Sequence, residues 1–262
     1  MRLSGIRRFV LRCTVAGGLL LLSGCVYLHL LQLKLQLLNF EKNFAVDTRD
    51  GLALTFNHPM LLDEDVASFF NWVPDSRQQI GTAEKWHFAW VKNKAAGSTE
   101  TDVVELEFDL YFTDHKLVKI VAPERFFAAT MPKSLALAAL RSLGHADVNK
   151  EKRSASSTIG SQDLQAAAAD RFLTEDGLLE ALGEPGTRTA KDNAEEWHYT
   201  FAPASARQRF GDSGAVDVTF TLDPATRKVR LMKGRTMFGS IVFDTTHVGP
   251  NDTGTMHAAL PQ

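Results

Sequence analysis

Apolar and polar residues alternate over long stretches of this chain. Residues 104–112 carry an apolar side chain at every second position, and residues 216–222 follow the same pattern. Because successive side chains of a strand point to opposite faces of a sheet, a period of two predicts strands with one buried face. Asp50-Gly51 lies between two shorter alternating runs and predicts a β-hairpin, since glycine tolerates the positive φ of a tight turn.

The alternating segments belong to an internal repeat. Residues 86–90, WHFAW, recur as residues 197–201, WHYTF, and residues 62–65 recur as 173–176 at the same offset. Separate blocks that keep one offset indicate a duplication, and two copies are too few for a solenoid. The sequence therefore predicts a tandem pair of similar units.

Each unit is predicted to begin with a short helix. The helices cover 63–70 and 174–182, and they start at Asp63 and Thr174, whose side-chain oxygens can accept a hydrogen bond from an unpaired backbone N–H group. Gly183 suits the left-handed position that follows a helix. An antiparallel meander of three strands comes next in each unit. The predicted fold class is α+β: two tandem units, each a short helical layer on an antiparallel three-stranded meander.

The predicted organisation divides the chain into six parts. They are a lipoprotein signal peptide (1–24), a lipidated tether (25–43), the first α+β unit (44–130), a connecting helix and loop (131–160), the second α+β unit (161–244) and a disordered tail (245–262). The connecting helix follows from the alanine- and leucine-rich sequence after Pro132, and the tail follows from its polar, Gly- and Pro-containing composition.

The N-terminal segment, 1–25, resembles a bacterial lipoprotein signal. Four arginines precede an apolar run that ends in Leu22-Ser23-Gly24-Cys25, with two small residues before the cysteine. The resemblance implies cleavage before Cys25 and acylation of Cys25 with fatty acids such as palmitate. In known lipoproteins an aspartate after the cysteine favours the inner membrane, so Val26 implies the outer membrane, with the domains in the periplasm. The alternative is an uncleaved transmembrane anchor over 9–38, a stretch that polar residues interrupt.

The tether after Cys25 fits two kinds of secondary structure. Between residues 31 and 37, leucines alternate with glutamine and lysine, which is the period of a strand. Leu30, Leu33, Leu37 and Phe40 equally share one face of a helix. The pattern leaves both alternatives open.

Charge and cysteine content restrict the class of protein. The net charge is −2, and removal of residues 1–24, with four arginines and no acid, would take it to −6. This mild acidity argues against nucleic acid and against an anionic lipid surface as main partners. The two cysteines are Cys13 and Cys25, so the mature chain has no disulfide and no cysteine-based metal site. We predict no cofactor and no metal.

The second unit resembles the SmpA/OmlA family, the small lipoproteins of the machine that assembles outer-membrane proteins. The resemblance rests on LTED at 173–176, LGEP at 182–185, WHY at 197–199 and the alternating strand 216–222. It implies a non-catalytic scaffold or protein-binding module in outer-membrane assembly or maintenance, with an envelope protein as partner. Tandem copies of such a unit also resemble secreted β-lactamase inhibitor proteins, which makes inhibition of a periplasmic enzyme the alternative.

The candidate partner-binding residues are the aromatic side chains of the two repeated strands: Trp86, Trp90, Trp197 and Tyr199. Large aromatic side chains are frequent at binding hot spots, although an alternating aromatic strand also fits a core.

Signals for catalysis and metal binding are weak. His87 and His198 occupy equivalent positions, but one histidine per unit without a second ligand at the right spacing does not predict a metal site. Residues 211–214, GDSG, match the core of a serine-protease motif, which makes a hydrolase that uses Ser213 a remote alternative. Their glycine-rich polar composition is that of a turn. We expect no enzymatic activity.

Overall fold

The computed structural model describes residues 28–70, 73–93, 104–130, 132–145, 147–149, 154–159, 165, 173–191, 193–204, 215–236, 239–244 and 254–259. The predicted signal peptide, the predicted acylation site Cys25 and Ser213 lie outside these residues.

The described residues form six helical segments of more than one residue and fourteen strands. The helical segments are α1 (28–38), α2 (Phe40–Asn43), α3 (Asp63–Phe70), α4 (Glu124–Thr130), α5 (Lys133–Leu143) and α6 (Glu175–Leu182). The strands are β1 (Phe44–Asp47), β2 (Leu52–Phe56), β3 (Ser76–Ile80), β4 (Ala83–Lys92), β5 (Glu105–Thr113), β6 (Lys116–Ala122), β7 (Asp147–Asn149), β8 (Ser154–Ile159), β9 (Thr187–Lys191), β10 (Ala194–Pro203), β11 (Val216–Leu222), β12 (Val229–Thr236), β13 (Gly239–Asp244) and β14 (Gly254–Ala259).

Eleven strands form one antiparallel sheet. Its order is β1-β2-β6-β5-β4-β10-β11-β12-β13, with β3 beside β4 and β9 beside β10. The predicted α+β class with two tandem units is therefore wrong, because the protein is mainly β and its two meanders are parts of a single sheet. Each meander also contains a fourth strand, β3 or β9. These strands escape sequence analysis because all their residues are exposed and no apolar alternation marks them.

The two meanders join where the C-terminal ends of β4 and β10 pair. The central pair is Val91 and Ala202, which occupy the same position in the two copies of the repeat. The flanking backbone hydrogen bonds are equivalent in the same way: Asn93 N–H to the Thr200 carbonyl (2.8 Å) and Ala204 N–H to the Ala89 carbonyl (2.9 Å). The contact is thus built like an interface between two identical subunits related by a two-fold axis, although both sides belong to one chain.

The repeat also governs the local contacts of each half. The bridge between Leu62 and Lys116 recurs in the second half between Thr174 and Lys228. The helix predicted at the start of each unit is present as α3 and as α6. At the start of α6, Thr174 Oγ1 accepts a hydrogen bond from Gly177 N–H at 3.2 Å, as the capping prediction required.

A single hydrophobic core lies on one face of the large sheet. It combines apolar side chains from both meanders with buried residues of the helices, among them Val66 of α3, Leu135 of α5 and Leu178 of α6. Aromatic rings fill much of the space, and Phe88 stacks on Phe108 with ring centroids 4.8 Å apart. A core shared by both halves explains why they do not form separate domains.

Further differences from the sequence predictions lie in the connections. The segment predicted as a connecting helix and loop, 131–160, contains α5 but also β7 and β8. The segment predicted as a disordered tail, 245–262, contains β14, which pairs with β8 in a second sheet of three strands. These strands consist mainly of small and polar residues, so no apolar alternation marks them in the sequence. The predicted hairpin around Asp50-Gly51 is confirmed as β1 and β2.

Candidate functional site

The four aromatic residues predicted to bind a partner lie in the core. Trp86, Trp90, Trp197 and Tyr199 are all 5% exposed or less. The hydroxyl of Tyr199 donates to the Gly183 carbonyl at 3.0 Å, so it fixes the end of α6 from inside. Because these side chains are enclosed, a partner has no access to them in the folded protein.

A buried tryptophan in each half is covered by an arginine. The Arg77 guanidinium lies 4.2 Å from the Trp86 ring centroid, and that of Arg188 lies 4.3 Å from the Trp197 centroid. Such cation–π contacts fix these arginines, on β3 and β9, over the edge of the core. The halves differ at the indole nitrogen: Trp197 donates to Glu195 at 2.8 Å, whereas Trp86 Nε1 is buried without a hydrogen-bond partner among the described residues.

Ion pairs at equivalent positions tie each short helix to the meander. His115 Nδ1 lies 2.8 Å from Asp63, and Arg227 pairs with Glu175 and, at 2.7 Å, with Glu195. The hydrogen bond with Asp63 raises the pKa of His115. Hydrogen bonds from Arg227 lower the pKa of both glutamates and raise its own. Carboxylates held ionised in this way stabilise the structure and are poor proton donors at neutral pH.

The polar face of the sheet carries the two repeated histidines. His87 Nδ1 and Lys85 Nζ each lie 2.7 Å from Asp109, which raises the pKa of Lys85 chiefly through its hydrogen bond. In the second half, Thr219 Oγ1 lies 2.9 Å from His198 Nδ1. The first half therefore has a His–carboxylate pair and the second a His–hydroxyl pair. Among the contacts of the described residues, neither half combines the three groups of a nucleophilic triad.

Metal-ligand clusters and membrane-spanning helices are two further features that the described residues could carry. Among those that the structure describes, no group of three or more His, Cys, Asp or Glu side chains could hold a metal ion. None of the helices within the described ranges is long and apolar enough to cross a membrane.

Besides β1 and β13 at the two ends of the strand order, β3 and β9 each have one edge that pairs with no other described strand. All five residues of each strand are exposed, and in the described part of the chain each strand pairs only with the strand that follows it. In the first hairpin, Ile80 and Ala83 flank the two-residue turn Gly81-Thr82. The pair that closes such a turn is hydrogen-bonded, so the N–H groups of Arg77 and Gln79 point away from β4.

The second hairpin presents the same arrangement. Lys191 pairs with Ala194 across the turn, which directs the N–H groups of Arg188 and Ala190 away from β10. In the described part of the chain, each half therefore has one such open strand edge, and the two lie at equivalent places. Sequence analysis predicted neither strand. Had it predicted one of them, the constant offset of the repeat would have predicted the other.

Comparisons with protein families, with curated proteins and with solved structures find no match to this chain.

Proposed function

We propose that the chain is an envelope lipoprotein that acts as a non-catalytic protein-binding module at the outer membrane. Lipid on Cys25 would hold it there, and an envelope protein would be its partner. The resemblance of residues 22–25 to a lipobox supports the anchor. The described part of α1 begins at Leu28, a few residues after Cys25, so the folded part would lie close to the membrane.

The observation that carries the binding proposal is the pair of open strand edges. A partner segment that pairs with β3 or β9 would extend the sheet and satisfy the outward N–H and C=O groups, as in other proteins that bind peptides by strand addition. Both strands are only five residues long and each contains an arginine, features that limit uncontrolled pairing between copies. The edges thus favour a specific partner over self-association.

The test is chemical crosslinking in intact envelopes, followed by purification of the full-length chain and identification of its partners. Gln79→Pro and Ala190→Pro each remove an outward N–H group, and proline is tolerated at a sheet edge. We expect each change to reduce recovery of one reproducible partner and the double variant to lose it. Gln79→Ala and Ala190→Ser keep the N–H groups and serve as matched controls. Recovery of the partner at the wild-type level by a folded double-proline variant would contradict binding at these edges.

The anchor needs its own variant in the same experiment. Cys25→Ala should release the chain from membranes and lose the partner if that partner is a membrane complex. Capture of one soluble periplasmic enzyme by both the wild type and Cys25→Ala would instead favour the inhibitor alternative. That alternative has less structural support, because an inhibitory face with aromatic side chains at the junction of the halves requires exposed rings, and Trp90 and Phe201 are buried there.

A further inference from the structure

The helix α1 has a second apolar face that nothing in the described structure covers. Leu28, Leu31, Leu35 and Leu38 are 58%, 54%, 54% and 39% exposed. Their spacing of three, four and three residues places them along one side of the helix. At 3.6 residues per turn they span about 80° of its circumference and about 15 Å of its length. We call these four residues the leucine stripe.

The orientation of α1 is fixed by its other side. Leu30, Leu33 and Leu37 pack on the core. His29 Nδ1 lies 2.6 Å from the buried Asp65, and Gln36 donates to the His58 carbonyl at 2.6 Å. The leucine stripe therefore cannot turn inward without breaking these contacts, and it faces outward as a consequence of how α1 is seated.

A close backbone contact holds the end of α1. A Cβ atom added to Gly144, which follows α5, would lie 2.5 Å from the backbone nitrogen of Leu38. Two helices that approach this closely have little freedom to slide or rotate against each other. The leucine stripe is thus part of a rigid surface.

The surroundings of the leucine stripe match a lipid surface. At 100° per residue, Lys34 lies at one border of the stripe and Gln32 at the other. Residues 26–40 contain no aspartate or glutamate, so α1 itself brings no carboxylate to lipid headgroups. An apolar stripe with lysine and glutamine at its borders is typical of helices that lie in a membrane interface.

We propose that the leucine stripe lies in the bilayer interface and is a second membrane contact beside the lipid on Cys25. This inference rests on the proposed function, because acylation of Cys25 is what brings α1 to the membrane. The short segment from Cys25 to Leu28 spans at most about 10 Å, so the acyl chains enter the bilayer next to the stripe. Two contacts on one rigid body fix the orientation of the domain, whereas a lipid on a free tether would let it rotate.

The test uses the full-length chain, processed and acylated in cells, and reconstituted into phospholipid vesicles. The mature chain has no cysteine other than Cys25, whose thiol is blocked by acylation, so single reporter cysteines can be labelled cleanly. Leu31→Cys and Leu35→Cys report on the stripe. Val242→Cys, on β13, is the matched control, since Val242 is 54% exposed. Each receives a polarity-sensitive fluorophore, and the vesicles contain spin-labelled phospholipid as quencher.

We expect blue-shifted emission and several-fold stronger quenching by lipid at Leu31 and Leu35 than at Val242. Equal, water-like signals at the three positions would overturn the proposal. Protection from water without quenching by lipid, together with crosslinks between copies through Leu31→Cys, would assign the stripe to a second copy and also overturn it.

Incorporation of radioactive palmitate, measured in the same preparations, separates the two proposals. Palmitate on Cys25 with water-like reporters refutes the leucine stripe alone. Without palmitate, the free thiols of Cys13 and Cys25 would also take the fluorophore, so the reporters are then repeated in a chain with both cysteines replaced by serine. Lipid-quenched reporters in that chain would refute acylation of Cys25 and support the stripe as a membrane contact in its own right.

Discussion

The two halves meet at a joint where the C-terminal ends of β4 and β10 pair. The stability of this joint should depend strongly on Lys92. Its side chain, 5% exposed, runs from the end of β4 to the end of α6 and donates to the carbonyls of Leu182 at 2.8 Å and Glu184 at 3.0 Å. The last carbonyls of a helix have no partner within the helix, so Lys92 supplies one across the joint. Lys92→Met keeps the aliphatic stem but leaves these acceptors without the ammonium.

The size of the effect follows from two opposing contributions. A hydrogen bond from a charged group stabilises by about 1.5–3 kcal/mol, and two are lost. The loss is partly offset because methionine does not carry the desolvation cost of a buried ammonium. We expect a net destabilisation of about 2 kcal/mol, which lowers the melting temperature of a protein of this size by about 4–8 °C.

Urea unfolding of the detergent-solubilised protein, followed by tryptophan fluorescence, measures this change. Lys191→Met is the matched control: its ammonium, on a side chain that is 65% exposed, pairs with Glu196 at 3.4 Å. Such surface pairs contribute less than about 1 kcal/mol. Equal unfolding midpoints for Lys92→Met and Lys191→Met, with unchanged slopes, would refute the assigned role of Lys92.

Three further predictions concern turns and ion pairs. Gly51→Ala should destabilise the protein by about 3 kcal/mol in urea unfolding, because φ is +109° and the new Cβ would lie 2.3 Å from a backbone oxygen. Gly81 has φ +60° and open space around it, so Gly81→Ala should cost only about 1 kcal/mol. Arg227 has φ 53°, so Arg227→Gly should be about 1 kcal/mol more stable than Arg227→Ala although both lose the same ion pairs; equal unfolding midpoints would show that the backbone is not strained. Because the pKa of His115 is raised, the His115–Asp63 pair stabilises the folded protein at pH values below the ordinary histidine pKa of 6.5. This stabilisation is lost as the pH rises through the raised pKa. An NMR titration of His115 should show the raised pKa, and Asp63→Asn should abolish the increase.

The strands that could be predicted are those with one buried face. In β5 and β11, every second residue is apolar because every second side chain enters the core. The alternation is thus a direct consequence of burial, and sequence analysis detects it. β3 and β9 have no buried face, and their stability comes from backbone pairing with β4 and β10. Backbone hydrogen bonds are available to any residue except proline as donor, so they leave little trace in the sequence.

The same reason explains why the union of the two meanders was not predicted. The strand contact at the joint consists of three residue pairs around Val91 and Ala202, and the hydrogen bonds of this pairing join main-chain atoms. A prediction from apolar patterns finds each meander but not which edges meet.

The aromatic residues posed a different problem. The alternation places Trp86 and Trp197 on one face of their strands, whether that face is core or surface. Only the positions of the helices decide between these two possibilities.

The two-fold relation between the halves makes their differences informative. The open edges of β3 and β9 have equivalent backbones, and Arg77 and Arg188 cover equivalent tryptophans. The last residues of the two strands differ, because β3 ends in the apolar Ile80 and β9 ends in Lys191. In the proposed strand addition, backbone pairing would supply affinity at both edges and side-chain contacts would supply specificity. One edge should therefore prefer a partner strand with an apolar residue at that place, and the other an acidic one.

This asymmetry bears on the kind of partner the protein can hold. A symmetric dimer would present two identical edges and bind two copies of one segment. In this protein the two equivalent edges differ in charge. They also differ in their place in the chain, because the first half comes directly after the proposed anchor and the leucine stripe. A partner that engages both edges must itself offer two different strands, or two partners must bind side by side. The proposed strand pairing at β3 and β9 would thus make the protein a module that joins unlike segments, not one that binds two copies of the same segment.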